Sequence, residues 1–414
     1  MHPILLDPGA AALLETLHQA GYAAYVVGGC VRDSLLGQQV HDWDLCTSAR
    51  PEQVIALFGE QQCIPTGLQH GTVTIKYGGQ LYETTTFRTE GTYSDGRHPD
   101  QVQFVPQVQA DLARRDFTIN AMAYHPAEGL VDPFGGQQDL EQGLLRAVGD
   151  PGTRFQEDAL RILRLYRFAA RFGFAIHPDT GKAAEELCQR LDHVSVERIQ
   201  EELAKLLASP APGAYLNQKI LAVILPQLSA EALEAAKPVL DACPAGAREL
   251  PVRWAALLGS LGEEQVRRTL KGLRCSNAWV EETAVLVREM AGETGDILRG
   301  RALPEPEQVY LRRLLGRWGL TTVQRLLALG AAQYPAQAAR YSQWRQQAEQ
   351  MEQQGVCCRI AQLEVNGRDL MAVGIPAGPE LRRTLETLLE AVVRGQLPNQ
   401  RQCLLEAARQ QRQA

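Results

Sequence analysis

Tyr22-Ala23-Ala24-Tyr25-Val26-Val27-Gly28-Gly29-Cys30-Val31-Arg32-Asp33, followed shortly by His41-Asp42-Trp43-Asp44, sets the reading of this chain. The apolar run Tyr22 to Val27 has the composition of a buried strand, and the glycine pair after it stops the strand. Arg32 then stands where a helix would begin. If Asp42-Trp43-Asp44 is also strand, alternation puts both carboxylates on one face and Trp43 on the other, where the carboxylates can converge on one hard cation. Gly28 and Gly29 would let backbone N–H groups approach a phosphate closely, with the Arg32 guanidinium beside them. A bare Asp-x-Asp is common in loops and caps, and a Gly-Gly turn with a surface Arg-Asp pair would explain the glycines. It would not explain carboxylates arriving on the neighbouring strand.

Working outward, residues 11–20 read as a short helix ended by Gly21. Thr72 to Tyr77 and Leu81 to Phe87 read as a hairpin turning at Gly78-Gly79. After Asp132-Pro133-Phe134-Gly135-Gly136 the chain is dominated by Leu, Ala, Glu, Gln and Arg at helical spacing. Breaks at Pro210-Ala211-Pro212-Gly213, at 244–251 and at 366–379 divide that helical part. The fold class is therefore α+β, with a mixed β-sheet head at 1–145, a helical neck at 146–210, a helical body at 211–340 and a helical tail at 341–414.

A length of 414 residues calls for several packed units, and 45% hydrophobic with 22% charged residues excludes a largely disordered chain. No apolar run approaches the ~20 residues of a membrane span, and the N-terminus lacks a signal-type core, so a cytoplasmic protein is expected. Nine cysteines without a CxxC pair suit reduced, buried thiols better than zinc or a disulfide framework. Cys357-Cys358 reads as packing, and the histidines at 70, 98, 125, 177 and 193 as hydrogen-bonded structural groups. His41-Asp42 invites a His-Asp metal-hydrolase reading, but the further His and Asp ligands it needs are missing. A net charge of -6 does not argue for a nucleic-acid partner, yet a local basic surface is what such binding requires.

A Mg²⁺ site made by Asp42 and Asp44 can activate a hydroxyl and neutralise charge on a phosphoryl group. Glu83, on the second hairpin strand, is the candidate third carboxylate; an ordinary exposed strand Glu is the competing reading. Further on, Glu157 lies four residues before Arg161, at the spacing that pins a guanidinium on a helix, and Asp158 and Arg161 would share a helix face. A carboxylate accepts from an exocyclic amino group while a guanidinium donates to a ring nitrogen or carbonyl oxygen, so this pair suits both cytosine and adenine. Uracil and guanine present the opposite pattern. Arg164 and Arg167 continue the same helix, where solvated arginines are the plainer alternative.

Val27 to Gly37 with His41 to Thr47 resembles the first motif of the class II tRNA nucleotidyltransferases and their bacterial poly(A) polymerase relatives, in the polymerase β superfamily. Arg114-Arg115-Asp116-Phe117-Thr118-Ile119-Asn120-Ala121 is similar to the second motif. Asp132-Pro133-Phe134-Gly135-Gly136 with Asp139-Leu140 resembles the third, Glu157-Asp158-Ala159-Leu160-Arg161 the fourth, and Val196-Glu197-Arg198-Ile199-Gln200-Glu201-Glu202-Leu203 the fifth. The resemblance implies a polymerase β-like nucleotidyltransferase head, and addition of the 3′-terminal CCA to tRNA from CTP and ATP. It implies catalysis and Mg²⁺ binding by Asp42 and Asp44, with nucleotide binding by Gly29, Arg32, Arg115, Asp158, Arg161, Arg164 and Arg167. It also suggests Asp116 as a contact to the ribose hydroxyl.

The polar loop 89–100 is similar to one that relatives need for the switch from C to A, which favours complete CCA addition. Arg382, Arg383, Arg394, Arg401, Arg409 and Arg412 fall in the tail, the expected tRNA clamp, although a solvated helical surface with compensating Glu residues is the plainer reading for any one of them. The competing functions are a poly(A) polymerase, an enzyme adding only the two cytidines or only the adenosine, and an RNA-binding protein on a decayed scaffold.

Overall fold

The chain, examined as a computed structural model, is described over residues 1–91 and 102–413. It divides into two compact units, 1–230 and 231–414. The first contains the expected head and neck, and the boundary at 230 cuts the expected body.

In the first unit, α1 (Pro8–Gln19) opens with Pro8 at its first position, and Asp7 accepts from the amides of Gly9 and Ala10 at 2.9 and 3.1 Å. This satisfies N–H groups that have no partner within the helix. Ala10, Leu13, Leu14 and Leu17 form its buried face. Next come β1 (Ala24–Val27), α2 (Gly29–Leu35), β2 (Leu45–Thr47), α3 (Pro51–Phe58), β3 (Cys63–Gly67), β4 (Thr72–Tyr77) and β5 (Gln80–Thr86). β4 and β5 form the expected hairpin, with Tyr77 opposite Gln80 and both Gly78 and Gly79 at positive φ. That is the backbone a tight two-residue hairpin demands. A ribbon of β6 (Arg88–Glu90) and β7 (Val102–Phe104) precedes α4 (Val108–Ala113), and β8 (Ala123–His125) and β9 (Gly129–Val131) complete the strands of the main sheet.

The seven strands of the sheet run in the order β3-β4-β5-β2-β1-β8-β9, mostly antiparallel, with β2 and β5 parallel. All of β1 is buried, and Tyr25, Val27, Cys46, Phe87, Leu112 and Ala123 pack in one cluster about it. Helices follow Gly136 as expected: α5 (Gly136–Gln142), then α6 (Pro151–Glu157), α7 (Leu160–Phe172), α8 (Pro178–Glu186), α9 (Val196–Leu207) and α10 (Gln218–Ile224). The short parallel pair β10 (Leu144–Leu145) and β11 (Ala175–Ile176) ties the start of this region to the end of α7. α7 and α9 pack on each other.

The second unit is helical: α11 (Ala230–Ala242), α12 (Leu250–Leu258), α13 (Gly262–Gly272), α14 (Asn277–Ala291), α15 (Glu293–Arg299), α16 (Glu307–Gln333), α17 (Ala338–Gln353), α18 (Gly367–Ala372), α19 (Pro379–Val393) and α20 (Arg401–Gln413). α16 is kinked at Gly319, where φ is 74°. Arg253 is fully buried and donates to the carbonyls of Pro244 (2.8 Å) and Cys243 (2.9 Å), just past the end of α11. Leu363, Val365, Leu370, Leu388 and Leu404 make a separate core for the last helices. No described helix is long and apolar enough to cross a membrane.

Candidate active site

β1 ends at Gly28, whose backbone (φ 80°, ψ −123°) belongs to a region almost closed to other residues. A Cβ there would lie 2.7 Å from Nη1 of Arg115, so the glycine also makes room for that guanidinium. The Asp42-Trp43-Asp44 stretch differs from expectation in one respect: β2 starts at Leu45, one residue after it. The Val27 amide nevertheless donates to the Asp44 carbonyl at 2.9 Å, carrying the β1–β2 pairing through Asp44. Burial alternates accordingly, with Asp42 and Asp44 exposed and Trp43 buried.

The parallel β2–β5 register sets Leu45 against Thr84, and hence Asp44 beside Glu83. Burial, then the negative charges of Glu83 and Asp42, push the Asp44 carboxyl up to about 6, against the opposing charge of Arg115. Carboxylate oxygens are the ligands that suit a hard divalent cation, and Asp42, Asp44 and Glu83 are the carboxylates that this turn and register bring to one region.

Around this cluster the predicted arginines separate. Arg115 stands against the Gly28 turn, its charge is felt at Asp44, and it lies 3.5 Å from Asp111 with its Nε buried and unpaired. Arg32 was expected at the turn with its donors ready, but its side chain is buried beneath it. It donates to Asp33 at 2.8 Å and to Asn120, and lies over the rings of Phe168 and Phe172. Asp116 is 8% exposed. Its Oδ1 accepts from the Phe117 amide (2.9 Å) and Asn120 Nδ2 (3.0 Å), and its Oδ2 from Arg164 Nε (2.9 Å) and Nη2 (2.6 Å). Those four bonds fill a carboxylate, so a ribose hydroxyl would have to displace one of them. Burial would raise this carboxyl, yet the Arg164 charge, the Asn120 bond and the Arg161 charge together hold it well below the usual range. Arg167 pairs with Glu202 of α9 and lies 3.8 Å from the centre of the Phe168 ring. Arg167 therefore packs inward, and Arg164, still a third exposed, is committed to Asp116 instead of being a free solvated arginine.

Asp158 and Arg161 do not share a helix, a correction to the expectation. α6 ends at Glu157, Asp158 is extended (φ −139°, ψ 104°), and α7 begins at Leu160. Asp158 Oδ1 accepts from the Leu160 amide at 3.0 Å, one of the donors left unpaired at a helix start, which is why aspartate breaks the helix here. The expected Glu157–Arg161 pin is present at 2.7 Å, and Arg154 holds the same carboxylate at 2.6 Å. Arg161 also donates to the Arg114 carbonyl at 3.0 Å. Arg198 Nη2 reaches Asp158 Oδ2 at 2.8 Å. Arg198, Asn120 and Glu202 received no individual role from the sequence: each was inside a motif, but their partners lie 40, 88 and 35 residues away.

Of the loop 89–100, residues 92–100 lie outside the described residues. In the tail, Arg382, Arg394 and Arg401 pair with Glu386, Glu390 and Asp369, the compensated surface that was the plainer alternative. His18, His125 and Glu128 bring ligand atoms within 4.8 Å of one another, at the opposite end of β1 from Gly28. The two imidazoles are stacked, 4.1 Å between centroids and 14° from parallel, and His125 Nδ1 accepts from the Ala127 amide. Ring lone pairs lie in the ring planes, so nearly parallel rings meet one ion only after one of them turns.

Family comparisons match residues 24–146 to the poly A polymerase head domain, 173–231 to the RNA- and SrmB-binding site of polymerase A, and 249–408 to tRNA nucleotidyltransferase domain 2. The CCA-adding enzyme of Geobacillus stearothermophilus is 35% identical over 398 residues, covering 95% of this chain and 94% of its own length. That of Limosilactobacillus fermentum is 38% identical over 420 residues, covering 98% and 97%. Among solved structures, the Bacillus stearothermophilus CCA-adding enzyme in complex with CTP superposes with a TM-score of 0.79 at 33% identity, over 99% of this chain and 98% of that one. The Thermotoga maritima CCA-adding enzyme complexed with tRNA shares the fold at 21% identity and a TM-score of 0.71. With its carboxylates beside a glycine turn, its five motifs in order and full-length relatives at this identity, the chain belongs to the class II CCA-adding enzymes of the polymerase β superfamily.

Proposed function

We propose that this chain builds the 3′-terminal CCA of tRNA, without a template, from CTP and ATP. In each step the 3′-hydroxyl oxygen of the tRNA attacks the α-phosphorus of the nucleotide. The P–O bond to the β-phosphate breaks, diphosphate leaves and the hydroxyl proton is released to solvent. Asp42 and Asp44 hold Mg²⁺, with Glu83 as the third carboxylate; when bound, the ion lowers the hydroxyl pKa and offsets phosphoryl charge. The single observation that carries this assignment is the register that sets Asp44 beside Glu83, with Asp42 and Asp44 both exposed around buried Trp43, next to the Gly28 turn and its Arg115. Mg²⁺ prefers such an oxygen set to the His18–His125–Glu128 group.

The Gly29 amide and Arg115 take the triphosphate, while Arg32, Arg164 and Arg167 support the site from beneath through Asn120, Asp116 and Glu202. Asp158 and Arg161 read the base. An amino donor beside a ring acceptor, as in cytosine and adenine, satisfies both. Uracil and guanine leave partners unpaired, at about 1–3 kcal/mol per group. Head 1–145, neck 146–210, body 211–340 and tail 341–414 are the proposed functional divisions, with tRNA held by the helical C-terminal part. The nine free cysteines, eight of them buried, suit a cytoplasmic protein.

Asp42→Ala and Asp44→Ala test the chemistry. Both should abolish incorporation of labelled CTP and ATP into tRNA lacking its 3′ end while leaving tRNA affinity by fluorescence anisotropy unchanged. Turnover surviving in either variant would remove the assignment. The poly A polymerase match to the head favours one second reading, a poly(A) polymerase, which would reveal itself by long adenosine tails.

A further inference from the structure

Asp158 leaves the end of α6 in an extended conformation, with no helix to fix its side chain. Two contacts do so instead: the Leu160 amide on Oδ1 at 3.0 Å, and Arg198 Nη2 from α9 on Oδ2 at 2.8 Å. A carboxylate has about four acceptor sites, so two remain for an incoming amino group. The Asp158–Arg198 pair is partly buried, with the two side chains 15% and 22% exposed, so the contact is shielded from the screening that weakens surface pairs. Arg161 has a different set of anchors: Glu157 and the Arg154 carbonyl of α6, and the Arg114 carbonyl after α4. The two halves of the base-reading pair thus have separate anchors, and only Asp158 is anchored from α9.

We propose that Arg198 is a positioning residue for base selection: it orients the Asp158 carboxylate so that an amino group is accepted and a carbonyl is refused. Arg198 touches neither the reacting atoms nor, on this reading, the base. The inference rests on the proposed reading of the base by Asp158. Without Arg198 the carboxylate can swing on χ1 and χ2 between the Leu160 amide and solvent. It then meets cytosine less often in the accepting orientation and no longer presents a fixed clash to the uracil carbonyl. Discrimination should suffer more than catalysis, because Arg198 contacts Asp158 and neither Asp42 nor Asp44.

The test is kcat/KM for CTP and for UTP on tRNA lacking its 3′ end, in the full-length enzyme and in Arg198→Ala, Arg198→Lys and Asp158→Ala, with thermal unfolding of each. Arg198→Ala should lower the CTP:UTP ratio about tenfold, mainly through KM for CTP. Arg198→Lys, which keeps the charge but loses the fixed fork, should fall in between. If Arg198→Ala slows CTP and UTP by the same factor, or if Arg198→Lys retains the full ratio when Arg198→Ala fails to fold, the positioning role is overturned. Asp158→Ala separates the two levels. Loss of the ratio there with its retention in Arg198→Ala sinks only the positioning role, whereas retention in Asp158→Ala sinks the base-reading proposal itself.

Discussion

Replacing Asp116 by Ala would remove the carboxylate on which Arg164, Asn120 and the Phe117 amide converge. Arg164 would be left with Glu202, 4.0 Å away, and Asn120 Nδ2 would lose its Asp116 acceptor. Breaking a buried ion pair from one side costs about 3–5 kcal/mol, and because the Arg164 side chain is 33% exposed, the lower end of that range applies here. In a unit of this size about 3 kcal/mol corresponds to a fall in Tm of about 6–12 °C. The same carboxyl sets a pH signature. Its folded pKa is depressed, since Arg164, Asn120 and Arg161 outweigh the burial that would raise it. Its stabilisation is therefore present above the unfolded value of about 3.9 and is lost as pH falls toward the folded one. Calorimetry of wild type and Asp116→Ala at neutral pH and near pH 3, below the unfolded value, should give a Tm gap that narrows on acidification. A gap below about 2 °C at neutral pH, or one unchanged by acid, would refute the clamp.

Two further outcomes follow from the carboxylates and the turn. The Asp44 carboxyl is raised by burial and by Glu83 and Asp42, so its stabilising share is complete at low pH and is lost as pH rises through about 6. Without metal at pH 7.5, Glu83→Gln should consequently unfold at a higher temperature than wild type, and Mg²⁺ should raise the Tm of wild type more than that of Glu83→Gln. Thermal-shift curves with chelator and with Mg²⁺ check both. Gly28→Ala places a methyl 2.7 Å from Arg115 Nη1 at a φ of 80°, at a cost of about 1–3 kcal/mol in backbone strain. Initial-rate kinetics should show KM for CTP and ATP rising together while tRNA affinity stays put.

Much of the head was legible because its signals are local. The glycine turn, the 72–87 hairpin and the exposed–buried–exposed rhythm of Asp42-Trp43-Asp44 each follow from neighbouring residues; the Glu157–Arg161 pin, read from helical spacing, forms across the break between α6 and α7 instead. Asp158 was misread because a periodic stretch looks continuous even where an aspartate side chain ends one helix to cap the next. Arg32 and Asp116 were read as groups facing a ligand, since nothing near them in sequence reveals that Asn120 joins the two and Arg164 closes the chain. Register, too, is a long-range property: Glu83 is an unremarkable strand residue until the parallel pairing of β2 with β5 sets it beside Asp44.

The most direct test of the whole account is the length and sequence of the product that the wild-type enzyme makes on tRNA lacking its 3′ end, given CTP, ATP and Mg²⁺ together and read by mass spectrometry. The account predicts a discrete product ending in C, C and A, with no incorporation when UTP and GTP replace the two substrates. A ladder of adenosines, or a product that stops after the cytidines, would contradict it.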